Sequence, residues 1–218
     1  MIGPLRGSEG ARRGFTLLEV LVVIVILSVV SGLGTSAFVT ITSAWNDQQS
    51  MSQLNAMAED VFSAIATDFS DTLSHDLSGV PISGASRDSV DTRTVPAAHN
   101  ADDTLVIPIQ GAAAGRTRER LATVGYRIDR SAATMPLLRT LGELGDKTPG
   151  ANGQSLVPGA RTLAFRVEYL SEKPGRLWIQ EWNGADHPRA VRVSITLQDL
   201  NRPDLQLSRK SVMHIHVQ

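Results

Sequence analysis

The stretch RRGFTLLEVLVVIVIL, from Arg12 to Leu27, joins a short basic leader to the longest apolar run of the chain. Between Phe15 and Ile41 the only charged residue is Glu19. As an α-helix, residues 15–41 would extend about 40 Å, which exceeds the hydrocarbon thickness of a bilayer, about 30 Å. The sequence therefore predicts a membrane-spanning helix. A lone carboxylate near its start costs free energy to bury, so we expect Glu19 to have a specific role.

The leader predicts the orientation of this helix. Its positive charges, Arg6, Arg12 and Arg13, face only one acidic residue, Glu9. Because positively charged flanks stay in the cytoplasm, everything after residue 41 is expected on the far side of the membrane. An ordinary secretory signal has an apolar core of about 7–15 residues followed by small residues at a cleavage site. Here the apolar run is longer and the small residue, Gly14, precedes it.

The segment from Gly14 to Val20, GFTLLEV, resembles the type IV prepilin signal shared by pilins and by the pseudopilins of type II secretion. The resemblance implies cleavage between Gly14 and Phe15 by prepilin peptidase, followed by N-methylation of Phe15. A glycine at the cut presents no side chain that would obstruct the protease. Glu19 would neutralise the ammonium group on Phe15 of a neighbouring subunit, because paired buried charges cost less than isolated ones. The alternative is a plain signal anchor with an incidental glutamate.

Composition narrows the classes of function. The length suits one membrane helix and one modest globular domain. Cleavage would leave 18 basic and 21 acidic residues, a net charge of −3, which is not the basic footprint of a nucleic-acid-binding protein. Cysteine is absent, which excludes disulfides and thiolate metal ligands. No cofactor and no metal site are expected.

The chain beyond the membrane segment divides into three parts by pattern. Residues 42–73 predict an amphipathic continuation of the helix, residues 74–103 a loop rich in Ser, Gly, Pro, Asp and Thr, and residues 104–218 a β-rich head. Leu54, Ala58, Val61 and Ile65 recur at helical spacing on one face. Two roles stay open for that face, packing on the chain's own head and docking with neighbouring pseudopilin helices.

Strand patterns fill the head. Apolar residues alternate clearly over Thr162–Leu170 and Ala190–Leu197. Further strands are expected at Thr104–Gln110, Leu121–Ile128, Leu137–Thr140, Leu177–Trp182 and Val212–Val217. Pro108 within the first of these indicates an edge or a bend, because proline cannot donate to a ladder. One long helix followed by antiparallel strands predicts an α+β, pilin-like fold.

The head carries a second resemblance between Val124 and Asp199. The runs VGYRID, LVPGARTLAFRVEYL and HPRAVRVSITLQD follow each other as in the J-type minor pseudopilin of the type II secretion system. The resemblance implies assembly with the I- and K-type minor pseudopilins and the major pseudopilin at a pseudopilus tip, in the inner membrane with a periplasmic head, in support of protein export and with contact to secreted cargo. One alternative is a minor pilin that primes a type IV pilus. Another is a membrane-anchored enzyme or binding protein, which would need a convergent polar pocket.

The remaining groups of polar and aromatic residues are explained by ordinary structural roles. His214 and His216 share a strand face and could hold a metal, but a solvated face is favoured. Two groups of acidic and histidine residues, at positions 68–76 and 99–103, do not match the spacing of a calcium loop, so they are interpreted as solvated turn and cap residues. Trp178 and Trp182 would share one strand face, with core packing favoured over a partner-binding patch. No GxSxG or HExxH motif occurs, so we expect no enzyme. The acidic groups are Asp68, Asp71, His75 and Asp76, and His99, Asn100, Asp102 and Asp103.

Overall fold

The computed structural model describes residues 16–72, 81–86, 101–112, 119–146, 153–171, 178–182 and 187–215. The chain divides into two compact units, Met1–Asp47 and Gln48–Gln218. A single α-helix, α1 (Leu17–Ser70), begins in the first unit and ends in the second. The predicted membrane segment and its predicted amphipathic continuation are thus parts of one helix.

The first unit contains the apolar part of α1. Thr16 caps the helix, because its Oγ1 accepts a hydrogen bond from the backbone N–H of Glu19 at 3.3 Å. Hydroxyl groups along the apolar surface donate to the carbonyl four residues earlier, at 2.7–3.0 Å. A membrane interior offers no water to satisfy such groups, so these internal bonds suit a helix surrounded by lipid. The four hydroxyl residues are Ser28, Thr35, Thr40 and Thr42.

The second unit contains two antiparallel sheets and the rest of α1. The first sheet has the strand order β1-β2-β3-β4-β5 and follows the chain order. The second sheet has the order β7-β6-β8-β9, which leaves β9 at one edge. The strands of the first sheet are β1 (Ser83–Ala85), β2 (Thr104–Ala112), β3 (Glu119–Ile128), β4 (Leu137–Glu143) and β5 (Gln154–Ser155). Those of the second are β6 (Ala160–Leu170), β7 (Trp178–Ile179), β8 (Ala190–Asp199) and β9 (Gln206–His214).

One hydrophobic core joins these elements. The alternating residues of β6 and β8 turn one set of side chains inward, including Phe165 and Val193, which are fully buried. The helix contributes apolar side chains at 3- and 4-residue spacing to the same cluster, and Tyr126 and Leu137 of the first sheet complete it. The predicted α+β fold of a long helix and antiparallel strands is confirmed.

The structure corrects several predicted strand boundaries. β9 begins at residue 206, six residues before its predicted start, and β7 is only a two-residue strand. β1 and β5 were not predicted, because three- and two-residue strands give no alternation to detect. β1 pairs only with residues 104–106 of β2, so Pro108 lies beyond this pairing, and the residue after it, Ile109, is bridged by Thr72 at the end of α1. The backbone nitrogens of Pro108 and Gln110 face the same edge of β2. At that edge the N–H of Gln110 donates to the Asp71 carbonyl at 3.0 Å.

Candidate assembly surfaces

The predicted processing site lies outside the described residues. This applies to Gly14, Phe15 and the leader charges Arg6, Arg12 and Arg13, so cleavage and N-methylation stay predictions. Glu19 is described, and its side chain is exposed in the first turn of α1. The sequence from Thr16 to Glu19 has the residue types of a capping box, and an acid in this turn also complements the helix dipole. Glu19 therefore has a local role in starting the helix, in addition to the role predicted in assembly.

The apolar part of α1 presents an unburied hydrophobic surface. Its most apolar 18-residue window has a mean hydropathy of 2.6, and none of it is buried within the chain. Leu21, Ile24 and Leu27, for example, are each more than half exposed. Such a surface requires a nonpolar environment, because water contact costs roughly 25 cal/mol per Å² of apolar area. By length and composition this helix can cross a membrane.

The four residues of the predicted docking face lie in the core of the second unit. Leu54, Ala58, Val61 and Ile65 are each at most 1% exposed. Of the two roles left open for this face, the structure therefore supports packing on the chain's own head. A docking role for these four side chains does not agree with their burial, because the two sheets already cover them.

A buried ion pair holds the end of α1 to the first sheet. The side chain of Asp68, 4% exposed, accepts hydrogen bonds from Arg139 Nε at 2.8 Å and Nη2 at 2.6 Å. The Tyr126 hydroxyl also donates to the Asp68 carboxylate. Tyr126 and Arg139 are directly opposite each other on β3 and β4, so one cross-strand pair supplies all three donors. We call these three residues the helix latch.

The electrostatics of the helix latch follow from burial and charge. Burial raises the pKa of Tyr126 above its usual value, and the negative charge of Asp68 raises it further. The hydrogen bonds to Asp68 raise the pKa of Arg139 despite its partial burial. The latch is thus a neutral phenol and an ion pair. Asp68 was expected to be a solvated cap residue, and that interpretation is wrong. A usable signal existed, because an acid in the last helical turn opposes the macrodipole and needs a cation nearby.

Asp102 and Asp103 fix the segment before β2 to β6. Asp103 is 1% exposed, and its Oδ2 accepts a hydrogen bond from the Val167 N–H at 2.8 Å. Asp102 forms an ion pair with Arg130 at 3.4 Å. Burial raises the pKa of Tyr169, with a further contribution from the Asp103 charge. The interpretation of both acids as solvated turn residues is therefore wrong. His75, Asp76, His99, Asn100 and His216 lie outside the described residues.

The two tryptophans have different environments. Trp182 is 9% exposed and packs against the Tyr169 ring, with 6.2 Å between ring centroids. Trp178 pairs with Leu170 across β6 and β7 and lies under the Arg192 guanidinium, 4.0 Å from its ring centroid. The expected core role holds for Trp182, whereas Trp178 is only partly buried. Within the described part of the chain, no group of three or more acidic or histidine side chains could hold a metal ion.

A groove of about 540 Å³ lies between the last turns of α1 and β9. Phe62, Phe69 and Met213 give it an apolar floor, and Glu59 and His214 are among its polar lining residues. β8 is the only strand partner that the described residues provide for β9. The other edge of β9 therefore presents backbone donors and acceptors beside the groove, an arrangement that can take an extended segment.

A long apolar helix with a prepilin-type start, followed by a β-rich head, is the architecture of pilin-like proteins. A model of the prokaryotic N-terminal methylation motif matches residues 10–35. The family model of type II secretion system protein J matches residues 40–207, well over half of the chain. The chain belongs to this family and is a minor pseudopilin of type II secretion.

Two further comparisons add little detail. A search of curated proteins finds no significant match. Among solved structures, the type IV-like pilin TTHA1219 from Thermus thermophilus is similar, with 11% sequence identity and a TM-score of 0.45. The similarity covers 76% of this chain and 95% of that one.

Proposed function

We propose that this minor pseudopilin assembles at the tip of a periplasmic pseudopilus with the I- and K-type minor pseudopilins and the major pseudopilin. In this proposal the leader remains cytoplasmic, α1 crosses the inner membrane, and the head lies in the periplasm. The assembled tip would support the export of folded proteins and come into contact with secreted cargo. Family membership supports assembly with other pseudopilins. The particular partners, the tip position and the orientation are proposals.

The observation that carries the proposal is the uncovered apolar surface of α1. Its 18-residue window is entirely unburied within the chain, although its hydropathy is that of a membrane span. Lipid covers such a surface before assembly, and the helices of neighbouring subunits would cover it within a filament. The head buries the apolar face of its own part of α1, so the large uncovered apolar surface of the helix is the part in the first unit.

Processing prepares α1 for the replacement of lipid by the helices of neighbouring subunits. Cleavage after Gly14 would create a new amino terminus at Phe15, next to the capping residue Thr16. The positive charge at that terminus must enter a nonpolar environment when subunits stack. A carboxylate in the first turn of a neighbouring helix lowers this cost, because it pairs with the ammonium group. Glu19 has the position and the exposure for this pairing.

Co-purification tests the proposal. The full chain is tagged at its C terminus, membranes are solubilised in mild detergent, and mass spectrometry identifies the proteins that co-purify. Recovery of the I- and K-type pseudopilins supports the tip assignment. Recovery of a major pilin with other minor pilins, and no secretion pseudopilins, would instead favour the priming of a type IV pilus. A Gly14→Leu variant, expected to escape cleavage, is the matched control, and it should stay in the membrane without these partners.

A further inference from the structure

The edge strand β9 leaves one of its two edges open. Within the described part of the chain, β8 is the strand that pairs with it, and none of the isolated bridges involves it. The register between β8 and β9 is regular over its whole length, without a bulge. The nine residues of β9 therefore form a long, regular edge, and such an edge can accept a further strand.

The ladder hydrogen bonds show which residues of β9 face the open edge. Just beyond the two ends of the strand, the Ile215 N–H donates to the Arg189 carbonyl at 3.0 Å, and the Asp199 N–H donates to the Leu205 carbonyl at 3.2 Å. Because hydrogen-bonded pairs alternate along an antiparallel ladder, the odd-numbered residues from 207 to 213 bond to β8. The backbone groups of residues 208, 210, 212 and 214 therefore point to the open edge.

The groove between α1 and β9 lies beside this edge. On its helix side, Ser63, Ala66 and Ser70 are exposed and have small side chains, which leaves room above them. A strand that joins β9 would lie about 4.8 Å from it. Its side chains opposite Ser211 and Met213 would point to the same side as these two residues, which is the core side, since Met213 is 8% exposed. We therefore expect alternate side chains of an added strand to enter the groove and contact its apolar floor.

The charges of the edge disfavour a second copy of this chain as the occupant. β9 contains Arg209 and Lys210 and no acidic residue. Antiparallel pairing of two β9 edges would bring all four cations into one short ladder, and like charges on paired strands are destabilising. Lys210 is exposed, and no ion pair links it to a described residue. An acid opposite Lys210 on an added strand would supply a partner for this charge.

We propose that the open edge of β9 takes a β-strand of a different protein, with apolar residues at alternate positions and an acid opposite Lys210. The partner residues opposite Ser211 and Met213 are apolar and enter the groove. The residue opposite Val212 lies on the outer face, where Val212 is 45% exposed, so a β-branched residue such as threonine suits it. Backbone hydrogen bonds supply affinity, and the alternate side chains supply specificity. The surface belongs to the head alone, so binding does not depend on the position of the subunit in a filament.

The test measures the binding of a defined probe to the full chain in nonionic detergent. The probe is a short fluorescein-labelled peptide in which valine alternates with threonine and one central threonine is replaced by glutamate. Its control peptide has glutamine at that position. Fluorescence anisotropy gives the affinity of each peptide, and micelles without protein give the background. Circular dichroism verifies that each variant is folded.

The variants address the backbone edge, the groove and the charge separately. Val212→Pro removes an N–H that points to the open edge and leaves the ladder with β8 intact, and Val212→Thr is its control. Ala66→Trp fills the groove, whereas Thr67→Trp adds the same side chain at the next residue, which is exposed and does not line the groove. Lys210→Glu reverses the charge that the acid would meet.

We expect the glutamate peptide to bind, and the glutamine peptide to bind about threefold more weakly. Val212→Pro and Ala66→Trp should each weaken binding about tenfold or more, and their controls less than about twofold. Lys210→Glu should abolish the preference for glutamate.

Equal affinity for the two peptides would overturn the proposal. So would an equal loss in Ala66→Trp and Thr67→Trp, or unchanged binding to folded Val212→Pro. Analytical ultracentrifugation of the chain alone tests the other occupant. A dimer that Val212→Pro dissociates would show that a second copy takes the edge, and that result would also overturn the proposal.

Discussion

Removing the Asp68 carboxylate tests how strongly the helix latch holds α1 to the head. This carboxylate accepts two hydrogen bonds from Arg139 and one from Tyr126, and its side chain is 4% exposed. Loss of one partner of a buried ion pair costs about 3–5 kcal/mol. The Arg139 side chain keeps 24% exposure, so it can reach water once Asp68 is gone. We therefore expect Asp68→Ala to lower the free energy of unfolding by about 3 kcal/mol, near the lower limit.

The partners of Asp68 should rank by what each substitution leaves behind. Arg139→Met leaves an almost fully buried carboxylate without its cation, so it should cost about 4 kcal/mol. Tyr126→Phe removes one donor and leaves the ion pair, so it should cost about 1 kcal/mol. The double variant Asp68→Ala/Arg139→Met removes both charges. It should cost about 2 kcal/mol less than the sum of the single changes, because no charge is left unpaired.

Urea unfolding of the full chain in detergent measures these differences. Trp182, buried against Tyr169, reports the unfolding of the head through its fluorescence, and near-UV circular dichroism is a second probe. Asp71→Ala is the matched control, because Asp71 is exposed just after the end of α1 and should change stability by less than about 0.5 kcal/mol. The reasoning is refuted if Asp68→Ala costs no more than this control, or if Arg139→Met costs less than Tyr126→Phe.

The remaining predictions concern the assembly charge, alkaline pH and a close backbone approach. Glu19→Gln and Glu19→Ala should impair pseudopilus assembly and secretion equally if the charge pairs with the amino terminus, whereas a defect in Glu19→Ala alone would indicate only a capping role. Both tyrosines of the chain, Tyr126 and Tyr169, have raised pKa values when folded, so the folded state keeps their protons longer than the unfolded state does. Their contribution to stability is complete below the unfolded pKa of about 10 and is lost above it, at up to about 2.7 kcal/mol per pH unit for two protons. In an absorbance titration at alkaline pH, phenolate should appear only together with unfolding; phenolate in a chain that is still folded would contradict this. Gly84→Ala should lower the thermal midpoint of the head by several degrees, because its Cβ would lie 1.7 Å from the Tyr169 hydroxyl oxygen and 2.9 Å from the Thr104 carbonyl oxygen. Gly34→Ala is its control, since nothing lies within 4 Å of that Cβ, and an equal loss in both variants would contradict the steric argument.

The structure confirms the predictions that rest on a repeating pattern along the chain. It corrects predictions about residues whose environment depends on contacts with distant parts of the chain. The apolar run produces the long helix, and the alternation in β6 and β8 produces buried strands at nearly the predicted positions. The N-terminal half of β9 was missed because residues 206–211 are mostly polar and exposed, as an edge strand permits. Local pattern cannot reveal such a strand, since its pairing with β8 and not its own hydrophobicity holds it in place.

The candidate surfaces divide in the same way. Glu19 and the residues of the processing signal could be identified from the sequence because they all lie in one short segment. The helix latch could not be identified from the sequence, because Asp68 lies 58 residues before Tyr126 and 71 before Arg139.

The sequence by itself determined that this protein has a membrane-length apolar helix with a prepilin-type start and a β-rich head. The length of an apolar run and the period of hydrophobic residues depend only on residues that are close in the sequence. They can therefore be recognised without knowing the tertiary structure. Only the tertiary structure decided that Leu54, Ala58, Val61 and Ile65 pack inside the head, and that Asp68 is a buried ion-pair partner and not a solvated cap. Burial and charge pairing depend on which distant segments come into contact. Those contacts exist only once the two sheets pack against the helix.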